Sequence, residues 1–197
     1  MKSILLLSIA LALASHVCLA EEPAPIVVDL TTSAGIMRLE LDAQKAPKSV
    51  ANFLNYVKSG HYTGTVFHRV IREFMIQGGG LTADLKEKRT EPPVVNEAGN
   101  GLPNRKYTVA MARTSDPHSA TSQFFINTAD NTFLNRGESA DGVGYAVFGK
   151  VIAGQEIVDK IAATKTTTMA DPITGQSLTD VPVQPIVITT AKIVSGE

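Results

Sequence analysis

The chain has 197 residues, of which 44% are apolar and 19% charged. That is the composition of an ordinary globular domain; it excludes a wholly disordered chain and leaves little room for a second domain. At this length folding buries roughly 70% of the surface an unfolded chain exposes, so stability requires neither disulfide nor metal, and a formal net charge of −1 gives no electrostatic reason to hold nucleic acid.

The first 20 residues read as a secretory signal peptide: Lys2 gives a positive start, Ile4 to Leu13 is apolar except for Ser8, and Cys18-Leu19-Ala20 ends in small residues. The apolar run is well short of the roughly 20 residues that span a bilayer. A lipidated Cys18 is the rival, but Ser15-His16-Val17 is a poor context for it. Cleavage after Ala20 removes Lys2 and no acid, leaving 17 basic and 19 acidic side chains, a balance of −2. It also removes the only Cys, which suits an oxidising compartment. The expected destination is the periplasm, with full secretion the alternative and no membrane attachment after cleavage. Residues 21–25 form a short tail ahead of a domain over 26–195.

Ile26 to Leu30 and Ile36 to Leu41 are strand candidates around a turn over 31–35, with alternation in the second giving one buried face. Pro47 suits the first turn of a helix. Val50, Phe53, Leu54 and Val57 then share a face, and Gly60 ends the helix. Strands are expected over 65–70, 74–77, 107–112, 123–127, 146–151 and 185–193, and a second helix over 155–163 with Ile157, Val158 and Ile161 inward. Residues 96–105 and 135–144 read as loops, and residues 164–184 as a Thr-rich connection bent at Pro172, Gly175 and Pro182. Strands at both ends of a chain with helices between them suit a barrel closed by its termini.

Several chemistries are absent. No nucleophile elbow, P-loop, zincin motif or Cys pair occurs, and His61, His68 and His118 lack metal-ligand spacing. Gly78-Gly79-Gly80-Leu81-Thr82-Ala83 fits a loose dinucleotide pattern, but polar residues and Pro92-Pro93 follow where a helix must start. Those glycines instead let the chain turn sharply beside another backbone. No cofactor and no metal are expected.

Two segments concentrate large apolar and amide side chains: Phe67 to Gly79, and Met111-Ala112-Arg113 with Ser122 to Asn127. Along a regular strand Arg69, like Phe67, faces opposite to His68. Gln123 and Phe125 share one face, Phe124 and Ile126 the other. These residues fit either an ordinary barrel core or an apolar pocket edged by one Arg and two Gln.

Phe67-His68-Arg69, Phe74-Met75-Ile76-Gln77-Gly78-Gly79, Met111-Ala112, Ser122-Gln123-Phe124-Phe125-Ile126 and Val147-Phe148-Gly149-Lys150-Val151 together resemble the cyclophilin signature, in order, from about Val27 to Ile193. Arg113 after Met111-Ala112, and a longer loop between Phe133-Leu134 and Tyr145, resemble its bacterial periplasmic branch. The resemblance implies a mainly β fold, a closed eight-stranded antiparallel β-barrel capped by two α-helices. It implies a peptidyl-prolyl cis/trans isomerase that assists the folding of exported proteins. Arg69, Gln77 and Gln123 would be catalytic; Phe74, Met75, Ala112, Arg113, Phe125, Phe133, Leu134 and Tyr145 would bind substrate. Partners would be proline-containing, unfolded or partly folded exported proteins, met by a monomer.

Arg69 suits the reaction because its guanidinium stays charged and offers donors in a fixed fork. Phe74, Met75, Phe125 and Leu134 would grip the proline ring, while Gln77 and Gln123 would orient Arg69 or bind substrate amides. Better-known eukaryotic members carry Trp at Phe133 and His at Tyr145. Phe133 offers no indole N–H, so only weak cyclosporin binding is expected. The alternative is a non-catalytic chaperone or adaptor that holds proline-containing segments.

Overall fold

The computed structural model describes residues 25–195; the expected signal peptide and all but the last residue of the tail lie outside them. Strands β1 (Ile26–Thr32) and β2 (Gly35–Leu41) form a hairpin whose register runs from Ile26 opposite Leu41 to Thr32 opposite Gly35. The turn is shorter than its sequence implied because Thr32 closes it: its Oγ1 accepts from the N–H groups of Ala34 and Gly35 at 3.1 and 3.2 Å. Met37, Leu39 and Leu41 take the buried side of β2, as the alternation required.

Helix α1 (Pro47–Lys58) begins with Pro near its start and is followed by Gly60 at φ +71°. Ala46 precedes it and has no side chain able to cap. Glu97, far along the chain, replaces the missing cap: its carboxylate accepts from the N–H groups of Lys48 and Ser49 at 3.0 and 2.7 Å, and from Ser49 Oγ at 2.7 Å. These backbone groups have no partner within the helix, and an anion suits the positive end of its dipole.

The remaining elements are β3 (Thr65–Ile71), β4 (Met75–Thr82), β5 (Thr108–Met111), β6 (Phe124–Asn127), β7 (Val147–Ala153), α2 (Gln155–Ala162), β8 (Thr166–Ala170), β9 (Ser177–Pro182) and β10 (Ile188–Ser195). Eight strands make one curled antiparallel sheet in the order β10-β1-β2-β7-β5-β6-β4-β3. Its two ends do not share a full ladder. They meet at a seam: Val66 bridges Val187, and the N–H groups of Gly64 and Phe67 donate to the carbonyls of Ile188 and Ile186 at 2.8 and 3.0 Å. "Closed" therefore overstates the barrel. The seam also explains why β10 starts later than the β-branched run beginning at Pro185: residues 186–188 turn toward β3 before the strand joins β1.

Residues 164–184 are more than a connection. They hold the hairpin β8–β9, turned at Asp171, whose carboxylate accepts from the N–H groups of Ile173 and Thr174. All five residues of β8 are exposed, so no alternation of apolar residues marks the strand in sequence. β9 lies beside β3, and its Val181 packs on Leu81 and Leu85.

Inside the curled sheet Phe53, Tyr62, Phe67, Phe124 and Phe148 are completely buried. Phe53 of α1 lies 5.1 to 5.5 Å, centroid to centroid, from Tyr62, Phe124 and Phe148. Val158 and Ile161 of α2 join the same core. A second, smaller apolar cluster forms from Met75, Ala110, Phe125, Leu134 and Val147, and it is this cluster that supports the candidate site.

Candidate active site

Strand alternation explains how one run of sequence serves both clusters. In β6 Phe124 and Ile126 enter the main core and Phe125 the smaller cluster. Gln77 of β4 stands opposite Phe125, and Ala110 of β5 stands opposite it on the other side. Met75 is two residues from Gln77 and so faces the same way.

Strand β3 departs from simple alternation. Phe67 pairs with Gly78 and Arg69 with Gln77, so His68 is an extra residue in a β-bulge. A bulge re-aims the side chains that follow it. Phe67 therefore enters the core, whereas Arg69 is exposed and joins Gln77 at the slot. The expectation that Phe67 and Arg69 share a face is corrected by this bulge.

Arg69, Phe74, Met75, Gln77, Ala112, Arg113, Phe125, Leu134 and Tyr145 enclose a slot of about 110 Å³. Nine of the eleven residues singled out in the sequence thus line one cavity. Gln123 stands just behind it: Gln77 Nε2 donates to Gln123 Oε1 at 2.9 Å. The two amides hold one another, and Gln77 orients Gln123 rather than Arg69. Phe133 lies outside the lining, 55% exposed, with its ring stacked on Phe74 at 5.6 Å. A roomier groove of about 640 Å³ lies between Glu40, Leu41, Leu102, Arg105 and Lys150. It contains none of the candidate residues, and its size alone assigns it no chemistry.

The two arginines of the slot differ. Among the described residues the Arg69 guanidinium has no hydrogen-bond or ion-pair partner. Each guanidinium nitrogen of Arg113 has a partner. Its Nε donates to the Gly144 carbonyl at 3.2 Å, its Nη1 to the Thr114 carbonyl at 2.9 Å, and its Nη2 to the Asp141 carboxylate. Its Cζ lies 4.5 Å from the centroid of the Tyr145 ring, and that ring meets Phe125 edge-on at 5.7 Å. The Arg113 hydrogen bond, with others from Ser139, Val143 and Gly144, holds the Asp141 carboxyl well below the usual carboxylate range.

Behind the slot lies a set of asparagines that the sequence reading missed. Asn131 Nδ2 donates to the Phe74 carbonyl and to Asn127 Oδ1, both at 2.7 Å. Asn127 Nδ2 donates to Asn104 Oδ1 at 3.2 Å, and Asn104 Nδ2 to the Tyr145 carbonyl at 3.3 Å. All three side chains are buried. Buried amides need partners, and here they include one another and the backbone carbonyls of two slot residues, Phe74 and Tyr145. Three asparagines that cluster only in space left no spacing to detect.

A curled eight-stranded antiparallel sheet, with an apolar slot edged by an exposed arginine and paired glutamines, defines the class of protein. The family described as cyclophilin type peptidyl-prolyl cis-trans isomerase matches residues 27–193, and the chain belongs to it. A peptidyl-prolyl cis-trans isomerase of Streptomyces antibioticus is 59% identical over 167 residues, covering 84% of this chain and 97% of its own. Peptidyl-prolyl cis-trans isomerase A of Dickeya dadantii is 56% identical over 165 residues, covering 84% and 83%. Among solved structures, a cyclophilin-type isomerase of Cryptosporidium parvum crystallised in the presence of the dipeptide Ala-Pro superimposes with a TM-score of 0.66 at 28% identity, over 86% of this chain and 99% of that one. The chain is thus an isomerase of peptidyl-prolyl bonds.

Proposed function

We propose that this enzyme rotates X–Pro bonds in exported proteins at the Arg69 slot, by favouring the twisted amide without covalent chemistry. The amide nitrogen resists rotation because its lone pair is delocalised, with a barrier of roughly 18–20 kcal/mol. In the twisted state that nitrogen becomes pyramidal and accepts a hydrogen bond. Arg69 donates it. The observation that carries this reading is that the exposed Arg69 guanidinium, at the edge of an apolar slot, has no hydrogen-bond or ion-pair partner among the described residues. A donor engaged elsewhere would first have to break a bond.

Met75, Phe125, Leu134 and Phe74 hold the proline ring while the preceding carbonyl turns. The Gln77–Gln123 pair leaves Gln77 Oε1, at the slot, for substrate amides. Only contacts that strengthen in the twisted state raise the rate, and a fixed charge beside apolar walls meets that condition. An acceleration of about 10⁴ requires roughly 5.5 kcal/mol of such preference. Export rests on the signal-like residues 1–20 and on loss of the only Cys, and gives periplasmic clients in a Gram-negative source.

The competing reading is a non-catalytic holder of proline segments. Catalytic amounts of protein separate them in an exchange experiment on a short Ala-X-Pro-Phe peptide. Acceleration at far less than one protein per peptide supports the enzyme; binding without acceleration supports the holder.

A further inference from the structure

The 135–144 loop joins two walls of the slot, Leu134 and Tyr145, whose backbones meet through the Tyr145 N–H donating to the Leu134 carbonyl at 2.9 Å. We propose that Arg113 and Asp141 are a positioning pair that fixes Tyr145 as the outer wall of the slot, so that Arg113 governs substrate affinity through Tyr145 and not by touching substrate. This deepens the isomerase reading and rests on it.

Exposure decides against direct contact: the Arg113 side chain is 3% exposed, against 40% for Asp141. All three edges of the guanidinium are engaged, with Thr114, Gly144 and Asp141. The Tyr145 ring covers one of its flat faces at 4.5 Å. Tyr145 thus contacts both a cation and, in a T-shaped pair, the Phe125 ring. Asp141 fastens the loop at the same time. Its Oδ1 accepts from Ser139 Oγ, Val143 N–H and Gly144 N–H at 2.8, 3.0 and 3.4 Å, leaving Oδ2 for Arg113. The Gly144 carbonyl that receives Arg113 also receives Asn96 Nδ2 at 3.0 Å. Lysine cannot replace this geometry, because a point charge lacks a planar fork that serves several acceptors while presenting a face to a ring.

The test is peptide affinity and turnover of Asp141→Asn and Arg113→Lys, measured by NMR titration and exchange with Ala-X-Pro-Phe. Each variant is expected to raise Kd on the order of ten-fold, the scale of one lost charge-assisted hydrogen bond. The rate at saturation should stay within about two-fold of the parent, because the donor to the twisted amide is untouched. The double variant should be no worse than the worse single one, since both break one unit. Unchanged Kd in folded variants overturns the proposal, as does a fall in saturated rate at unchanged Kd, which would make Arg113 a direct participant. The parent protein gives an independent reading should the variants fail to fold. Its Arg113 Nε–H resonance should stay protected and unshifted on peptide addition, and a direct shift overturns the proposal. Peptide binding without catalysis by the parent would defeat the isomerase mechanism but leave the affinity comparison standing.

Discussion

The Arg113 guanidinium directs its donors at Asp141 and two carbonyls, while among the described residues the Arg69 guanidinium meets no acceptor. The same side chain is therefore a fixed strut at one wall and an available donor at the other. Phe133 shows the opposite kind of consequence. It offers a ring stacked on Phe74 and no N–H, so cyclosporin should inhibit this enzyme far less than it inhibits Trp-bearing relatives; Phe133→Trp should strengthen inhibition on the order of ten-fold, and equal inhibition before and after that change would refute the reading. His68, the bulge residue, resists protonation in the folded chain. Burial lowers its pKa to about 4, with the Val66 backbone opposing and the Arg69 charge assisting, and its Nδ1 has no partner among the described residues. As pH falls below about 6.5 the unfolded chain takes up a proton that the folded chain refuses until about pH 4. Stability contributed by neutral His68 is thus complete above that window and lost across it, by up to about 3 kcal/mol. Urea midpoints at about pH 7.5 and about pH 4.5 should differ less for His68→Gln than for the parent; equal differences would contradict this.

At the scale of elements, the glycine run in β4 accounts for itself without a cofactor. A Cβ on Gly78 would come within 2.8 Å of the Val66 carbonyl, and one on Gly79, at φ +87°, within 2.9 Å of Phe124 and Tyr62. At Gly80 the Cβ would meet Gln123 Cγ at 2.5 Å and Nε2 at 2.7 Å. Gly80→Ala should therefore displace Gln123, break its bond with Gln77 and reduce turnover about ten-fold while the protein stays folded; full activity would remove the amide pair from the mechanism. Helix α1 carries a second prediction. Glu97→Ala should lower stability by about 1–2 kcal/mol in urea unfolding, since it strips the carboxylate cap from the helix N-terminus; an unchanged midpoint would show the cap to be idle. The body of α1 was legible in Pro47, the apolar spacing and Gly60, but its cap was not, because Glu97 reaches it only through the fold. The bulge at His68 was equally invisible: period-two reasoning assumes an unbroken ladder, and nothing in Phe67-His68-Arg69 announces the extra residue.

For the whole molecule, the eight strands and two helices were legible because their buried residues recur at strand and helix periods, and because the ordered motifs span nearly the whole domain. Hairpin β8–β9 escaped since β8 buries nothing, and the seam between β3 and β10 escaped since it rests on backbone hydrogen bonds that side-chain patterns do not record. The slot was legible in nine of its lining residues through family resemblance, whereas Asp141 and the asparagine set were not, because they serve other residues rather than the substrate. What unites the molecule is a division of the sheet's two faces, an aromatic core on one and a supported slot on the other, with Arg69 turned to the slot by the bulge. The most direct test is the cis/trans exchange rate of Ala-X-Pro-Phe with substoichiometric parent protein and with Arg69→Ala, alongside a check that both are folded. Acceleration by the parent and a loss of about 100-fold or more in the variant is the predicted result; a folded Arg69→Ala that isomerises as fast as the parent would contradict the assignment of the donor.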